Sequence, residues 1–360
     1  MPLPYLSMAK PEVAPFSSGC QGRRMQSDSP TISVVLTSWN RCDFLGQSAE
    51  CIRLQTLDTG RFEVLITTNL SEDQVRANVR GLNFRYLENK RASIGSFYAA
   101  AIREARGDVI AFLDDDDLWT PDRLQHVYSA YSTDPELVYY HNLQTQIDWR
   151  GNPLPSSEPR IEPSASLGSF STRQLLLNLN KIGRHRPYFN NSSIAVRRRA
   201  VTPWLGYLER MPRSEDSFLF YSTLMSGGKI LLDWRRTTQY RTHTQNVSTQ
   251  IHKPPAEALA AAARFSVAAL SAHHILREMV YQSTDHRLKQ MIDRDLAVYG
   301  ILRTVQTGDQ NRGKLLRNLA TLIQNIRVFD MGFNLQIVSL GIAGLASKAL
   351  GASVYLAARR

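Results

Sequence analysis

Between Thr31 and Asp117 the chain repeats one pattern: a short β-branched or apolar run, then a stretch with helical spacing. The runs are TISVVLT, FEVLITT, NFRYLE and DVIAFLD, and they predict four strands. The stretches between them predict helices over about 42–57, 71–79 and 93–106. Strands that alternate with helices of this length run parallel, and a parallel sheet must be covered on both faces. The fourth run ends directly in Asp114-Asp115-Asp116-Asp117. Four adjacent carboxylates repel one another, the more so at the end of a buried strand. They fall at the C-terminal edge of a parallel strand, where open α/β sheets hold their ligands.

After residue 120 the texture changes. TPDRLQHVYSAY predicts a helix opened by Thr120 and Pro121, and LVYYHNLQTQIDWRGNPLP a strand running into a hairpin at Arg150-Gly151-Asn152. A Pro/Ser-rich loop extends to about 171. RPYFNNSSIAVRRRAV reads as a strand with Arg197, Arg198 and Arg199 on a solvated face. SEDSFLFYSTLMSGG reads as a helix capped by Ser214 and ended by Gly227-Gly228, and KILLDWRRTTQYRTH as a closing pair of strands. Beyond Pro254-Pro255 the pattern is helical. The expected organisation is a flexible segment at 1–30, an α/β domain at 31–252 and a helical region at 253–360.

Charge separates these parts. Residues 253–360 carry 14 Lys and Arg against 7 Asp and Glu, which is +7 of the net +11. The basic balance therefore belongs mostly to the helical region, and anionic membranes, nucleic acid and anionic small molecules are the partners it raises. The aromatic residues there are dispersed along helices, so no nucleic-acid partner is expected. Residues 335–357 are apolar apart from Lys348, long enough to span a bilayer but penalised by that lysine. The expectations are packing within the chain, self-association through these helices, or peripheral membrane contact. Cys20, Cys42 and Cys51 form neither a CxxC pair nor a zinc spacing, and the first 30 residues lack the apolar core of a secretory signal. A cytoplasmic location is expected, with the inner face of a membrane as its alternative.

Carboxylates in this setting suit a hard divalent cation, which takes one or two carboxylates plus substrate phosphates. Three motifs then resemble a family 2 glycosyltransferase of the GT-A fold across residues 31 to about 245. ISVVLTSWNR resembles its first strand and nucleotide-binding turn, ARGDVIAFLDDDDLWTPDRL its DxD segment, and SEDSFLFYSTLMSGGKI its acidic-pair helix. The order and spacing of all three agree with the family. The resemblance implies inverting transfer of a sugar from a nucleotide diphosphate donor, with a UDP-sugar expected, to a glycan or lipid-linked acceptor in surface polysaccharide or glycoconjugate synthesis. It implies Mn2+ or Mg2+ on Asp116, ribose contact at Asp114 or Asp115, and Asp216 as the base. It also suggests His243 as a second metal or diphosphate contact, and Ser38, Trp39, Asn40 and Arg41 around the nucleotide. Asp117 is expected to support the turn, Arg241 to reach phosphate, and residues 191–193 to line the sugar pocket.

Two positions depart from the family. Thr68 and Asn69 stand where an acidic pair usually grips the base, so hydrogen bonding to the base edge falls to them. SFYAAAI replaces the usual ARN, leaving Arg91 to reach the diphosphate. A nucleotidyltransferase that makes sugar nucleotides is the competing enzyme class, but TSWNRCDF lacks the glycine-rich triphosphate loop it needs. A non-catalytic basic scaffold of the same fold is the competing non-enzyme class.

Overall fold

The computed structural model describes residues 31–90, 93–155, 168–183, 186–243, 246, 254–309, 311–328 and 330–357. The expected N-terminal segment and Arg91 lie outside them. The α/β alternation forms as the sequence predicts. Strands β1 (Ile32–Ser38), β2 (Phe62–Thr68), β3 (Arg85–Glu88) and β4 (Val109–Asp114) are parallel, with helices α1 (Leu45–Arg53), α2 (Glu72–Asn78) and α3 (Ile94–Glu104) between them. Every residue of β1 is buried, which is why it reads as continuously apolar and β-branched rather than alternating.

β1 is flanked by β2 on one side and β4 on the other, with Thr37 opposite both Thr67 and Asp114. The chain order therefore reverses between β1 and β4. Loops leaving the C-terminal ends of these two strands diverge and open a crevice. The Asp run leaves β4 into that crevice.

The sheet continues through short β5 (Leu118–Trp119), helix α4 (Arg123–Thr133), and β6 (Leu137–Ile147), β7 (Gly168–Ser171), β8 (Ile194–Arg197) and β9 (Lys229–Arg241). The strand order is β3-β2-β1-β4-β8-β6-β9-β5, with β7 on β9, so it is a nine-stranded mixed sheet among the described residues. Several expectations for this half are corrected. The predicted closing pair of strands is one strand, β9, parallel to β6 with register shifts near Asn142 and Leu143. A bulge there breaks the hydrophobic alternation and mimics a turn. The strand expected from residue 186 shrinks to β8, because Asn190 takes φ 71° and 191–193 form a 3-10 turn. Arg197 is buried rather than solvated, paired with Asp108 and lying over the Tyr131 ring. Thr120 does not cap α4; its hydroxyl donates to the Asp122 carboxylate.

Small helices α5 (Thr172–Leu177), α6 (Leu179–Ile182), α7 (Arg198–Val201) and α8 (Leu205–Leu208) lead to α9 (Glu215–Ser226). After the expected boundary come α10 (Pro255–Val280), α11 (His286–Thr307), α12 (Arg312–Gln324), α13 (Met331–Ala346) and α14 (Lys348–Ala357). The apolar stretch 335–357 is broken at Ser347, where the backbone is extended, and its two halves fold back on α11. Among the described residues the helix long and apolar enough to cross a bilayer is instead α10, and 39% of its most apolar window is buried. Ala272, Leu276 and Met279 of α10 and Met291 and Ile292 of α11 share one core with Tyr98, Phe112, Val196 and Phe218. The ends of α11 through α14 enclose a second core around Ile301, Leu319 and Leu340.

Candidate active site

The crevice between β1 and β4 deepens into a cleft of about 690 Å3. It is walled by residues 37–41, the four aspartates, residues 188–191, residues 212–217, and Phe265 and Tyr299 from the C-terminal helices. It thus brings the first two sequence motifs and the acidic-pair helix to one place, although they lie about a hundred residues apart.

The four aspartates are held separately. Asp114 Oδ1 accepts from Tyr98 Oη at 2.7 Å and Thr37 Oγ1 at 2.9 Å. Asp115 Oδ2 accepts from Ser38 Oγ at 2.9 Å, and its Oδ1 pairs with Arg41 Nη2 at 2.8 Å. Asp116 Oδ2 meets His243 Nε2 at 3.0 Å and also pairs with Arg41. Asp117 accepts from Ser192 Oγ (2.7 Å), Asn190 Nδ2 (2.9 Å) and the Arg241 N–H (2.9 Å), all buried. The expectation that Asp117 braces the turn matches this geometry. The run is therefore neither solvated nor bare: each carboxylate has its own donors.

Their protonation follows from these partners. Burial raises Asp114, with Asp116 adding repulsion, and burial raises Asp115 to about 6 despite Arg41. Burial acts on Asp116 as well, but His243 and Arg41 outweigh it and hold Asp116 below the ordinary carboxylate range. Asp117 is raised well above that range by burial and by Asp116 and Asp114. Asp116 is thus the carboxylate of the run whose surroundings most favour charge.

A divalent cation fits this set only with outside help. Among the described residues no three His, Cys, Asp or Glu side chains gather to hold a metal. Asp116 and His243 supply two donors, which suits a cation completed by phosphate oxygens and water. Arg41 meanwhile neutralises both Asp115 and Asp116.

Across the cleft, α9 presents Glu215 and Asp216. Ser214 precedes them with φ 67° and ψ 42°, and its side chain caps nothing, so the expected capping role is corrected. Left-handed backbone at a serine costs on the order of 1–2 kcal/mol. Three of the four non-glycine residues with positive φ among the described residues, Asn40, Asn190 and Ser214, line this cleft. Strain is therefore concentrated at the site. Glu215 is buried, its Oε1 has no hydrogen-bond partner, and burial pushes it up to about 8. Asp216 Oδ1 accepts the Ser217 N–H at 2.7 Å, and burial, helped by Asp114, raises it to about 6.

Other expectations land differently. Trp39 lines the cleft and packs on Phe97 at 4.8 Å between ring centroids. Asn69 and Asn40 are hydrogen-bonded to each other, Asn40 N–H to Asn69 Oδ1 at 2.9 Å. Thr68 is fully buried and its hydroxyl accepts from the Leu70 N–H at 3.1 Å, so it faces the turn rather than the cleft. Neither Thr68 nor Asn69 is among the lining residues. Arg241 does not reach toward phosphate. Its buried guanidinium donates to the carbonyls of Asp116 (2.7 Å) and Trp149 (2.9 Å) and to Gln47 of α1 (2.8 Å), fastening two loops to that helix. Sequence reasoning missed Phe265 and Tyr299, which carry no local signal, whereas Arg213 ends the variable loop 202–213 that the sequence offers, with 148–171, as an acceptor-pocket loop.

The sequence model described as Glycosyl transferase family 2 matches residues 33–201. An uncharacterised glycosyltransferase of Nostoc sp. is 22% identical over 176 residues, covering 47% of this chain and 52% of its own length. Protein CgeD of Bacillus subtilis is 25% identical over 141 residues, covering 34% and 32%. The chain thus spans about half or less of the length of these curated relatives. Among solved structures, a mannosyltransferase of Pyrobaculum calidifontis, in complex with GDP-Man and Mn2+, superposes with a TM-score of 0.53 at 14% identity, over 92% of this chain and 85% of that one. Residues 1–349 of S. aureus TarS superpose at 0.50 with 14% identity, over 91% and 90%. These likenesses agree with the expected GT-A architecture and its helical extension. Residues 33–201 thus match the family 2 glycosyltransferases, the family that the three sequence motifs resemble.

Proposed function

We propose that the chain transfers a sugar from a nucleotide diphosphate donor, a UDP-sugar in the first instance, to a hydroxyl of a glycan or lipid-linked acceptor, with inversion at the anomeric carbon. The observation that carries this reading is the placement of Asp216, a half-buried carboxylate raised to about 6, across one cleft from Asp114, Asp115 and Asp116. An inverting displacement needs its base and its leaving-group site on opposite faces of the sugar, and the two motifs supply the two walls. Asp216 Oδ takes the proton from the acceptor hydroxyl as that oxygen bonds to the anomeric carbon. The bond from that carbon to the diphosphate oxygen breaks, and its electron pair leaves with the nucleotide diphosphate. Ser38, Trp39 and Asn40 bound the nucleotide end, Asp114 or Asp115 holds the ribose hydroxyls, and Arg41 is placed to meet the diphosphate. A divalent cation held by Asp116 and His243 would supply charge neutralisation to the departing diphosphate. The Mn2+ and GDP-Man bound by the mannosyltransferase of like fold support a cation and a nucleotide-sugar donor in general.

Exposed apolar side chains on the last helices, Leu316, Ile323, Leu335 and Ile342, support self-association or contact with the inner membrane face as part of the same reading.

Two measurements test it. A thermal-shift screen of UDP-, GDP- and dTDP-sugars with Mn2+ should raise the melting temperature for one nucleotide class, because a ligand of the folded state stabilises it by mass action. No shift with any of them overturns the donor assignment. Asp216→Asn should lower turnover by about a thousandfold or more, at the upper end of general-base contributions, while nucleotide binding persists. Undiminished transfer removes Asp216 from the base role.

A further inference from the structure

The far end of the cleft is closed by residues outside the matched family segment. Arg213 precedes α9, and its guanidinium lies 4.2 Å from the centroid of the Phe265 ring on α10. Tyr299 of α11 lines the same wall, its ring 4.4 Å from that of His273 on α10. Among the described residues two arginines line the cleft. Arg41 is committed to Asp115 and Asp116 at the nucleotide end. Arg213 makes no hydrogen bond or ion pair among the described residues, and the Tyr299 hydroxyl has no hydrogen-bond partner among them. The buried arginines elsewhere among the described residues, Arg123, Arg197, Arg241 and Arg294, all donate hydrogen bonds.

A guanidinium over an aromatic ring still carries its five N–H donors on the edge of its own plane. This one is half-buried, so burial disfavours its charge, while Glu215, Tyr299 and Asp216 are near enough to favour it. It lines the cleft beside Glu215 and Asp216, both near enough to act on its charge, so an acceptor that reaches Asp216 meets this wall.

We propose that Arg213, stacked on Phe265 and flanked by Tyr299, forms an acceptor subsite for a sugar bearing an anionic substituent, a phosphate or a carboxylate. This rests on the transferase reading above. The guanidinium edge meets the anion in the paired geometry it forms with phosphate or carboxylate, and the Tyr299 hydroxyl meets a neighbouring sugar hydroxyl. The neutral Glu215 carboxyl expected below about pH 8 spares the anion one nearby like charge. The C-terminal helices thereby become part of the substrate site.

The test uses the full chain with nucleotide diphosphate and Mn2+, and calorimetric titration of three probes sharing one ring: methyl glucoside, its 6-phosphate and methyl glucuronide. The expected result is at least tenfold tighter binding of one anionic probe than of the neutral one. The phosphate and carboxylate arms show which anion is preferred. Arg213→Gln should erase the difference and Arg213→Lys should keep part of it, since the charge remains and the paired geometry is lost. Equal binding of all three, or no binding of either anionic probe at millimolar concentration, overturns the proposal. So does discrimination that persists in Arg213→Gln. If circular dichroism shows that variant unfolded, Phe265→Leu takes its place, with reduced discrimination expected and unchanged discrimination counting against the subsite. The thermal shift of the wild-type chain by nucleotide diphosphate is read separately, so failure of the donor reading is distinguishable from failure of the acceptor subsite.

Discussion

At the scale of single residues, the site is a set of carboxylates driven apart in protonation by their surroundings. Asp216 at about 6 and Glu215 at about 8 are adjacent in the chain, yet burial and partners separate them. On the proposed reading Asp216 must be ionised to act as the base, so kcat/KM should rise with pH through about 6. Glu215, whose Oε1 has no partner among the described residues, can donate a hydrogen bond to substrate only while protonated, so the profile should fall again through about 8. Glu215→Gln keeps the donor and should remove the falling limb in a pH–rate measurement. The same group affects stability. Its folded pKa lies above its ordinary 4.5, so the contribution it makes when protonated is complete below about 4.5 and is lost as pH rises through about 8. At pH 9, Glu215→Gln should therefore melt higher than wild type by several degrees, corresponding to a few kcal/mol. Arg41 carries a second expectation. While its guanidinium pairs with Asp115 and Asp116, a cation must compete with it for Asp116. Arg41→Gln should bind Mn2+ roughly tenfold tighter in the absence of nucleotide, measured by electron paramagnetic resonance of free Mn2+; unchanged affinity removes that competition.

At the scale of elements, positions are set by backbone contact as much as by side chains. Gly95, in the first turn of α3, lies so close to α8 that an added Cβ would sit 2.1 Å from the Leu208 carbonyl oxygen. Ile94 and Phe97 of the same turn line the cleft. Gly95→Ala should cost about 1–3 kcal/mol in a denaturant titration and weaken nucleotide binding, because α3 must back away from α8. The elements that the sequence reveals best are those whose pattern is set by burial alone. β1, β2 and β4 are buried along almost their whole length, so continuous apolar runs marked them directly. The elements it reveals poorly answer to partners distant in the chain. β7 is four half-buried or exposed residues held by β9, and β9 itself hides behind a register shift. The capping signature at Ser214 was misleading for a related reason: the cleft holds that serine in a left-handed conformation, which overrides its local preference.

At the scale of the whole molecule, the C-terminal helices share the core of the α/β layers and close the cleft. Leu276, Met279, Met291 and Ile292 pack in the cluster that holds Phe112, Val196 and Phe218. A chain ending at residue 253 should therefore lose cooperative unfolding and expose apolar surface, checked by a broadened melt and dye binding. A sharp wild-type-like transition in that truncated chain would show that the sheet folds alone. The sequence by itself determined the parallel half of the sheet, the place of the Asp run at the C-terminal end of its fourth strand, and that of the acidic pair at the start of a helix, whereas the switch point between β1 and β4 came from the strand pairing. Hydrophobic period and motif order are properties of the chain, and they survive without coordinates. Only the tertiary structure decided which carboxylate is charged, that Arg241 fastens loops and that Thr68 turns inward. Only it showed Arg213 meeting Phe265 and Tyr299. Each of those depends on what lies across a gap of tens of residues or more, and burial and hydrogen-bond partners exist only once the chain has closed on itself.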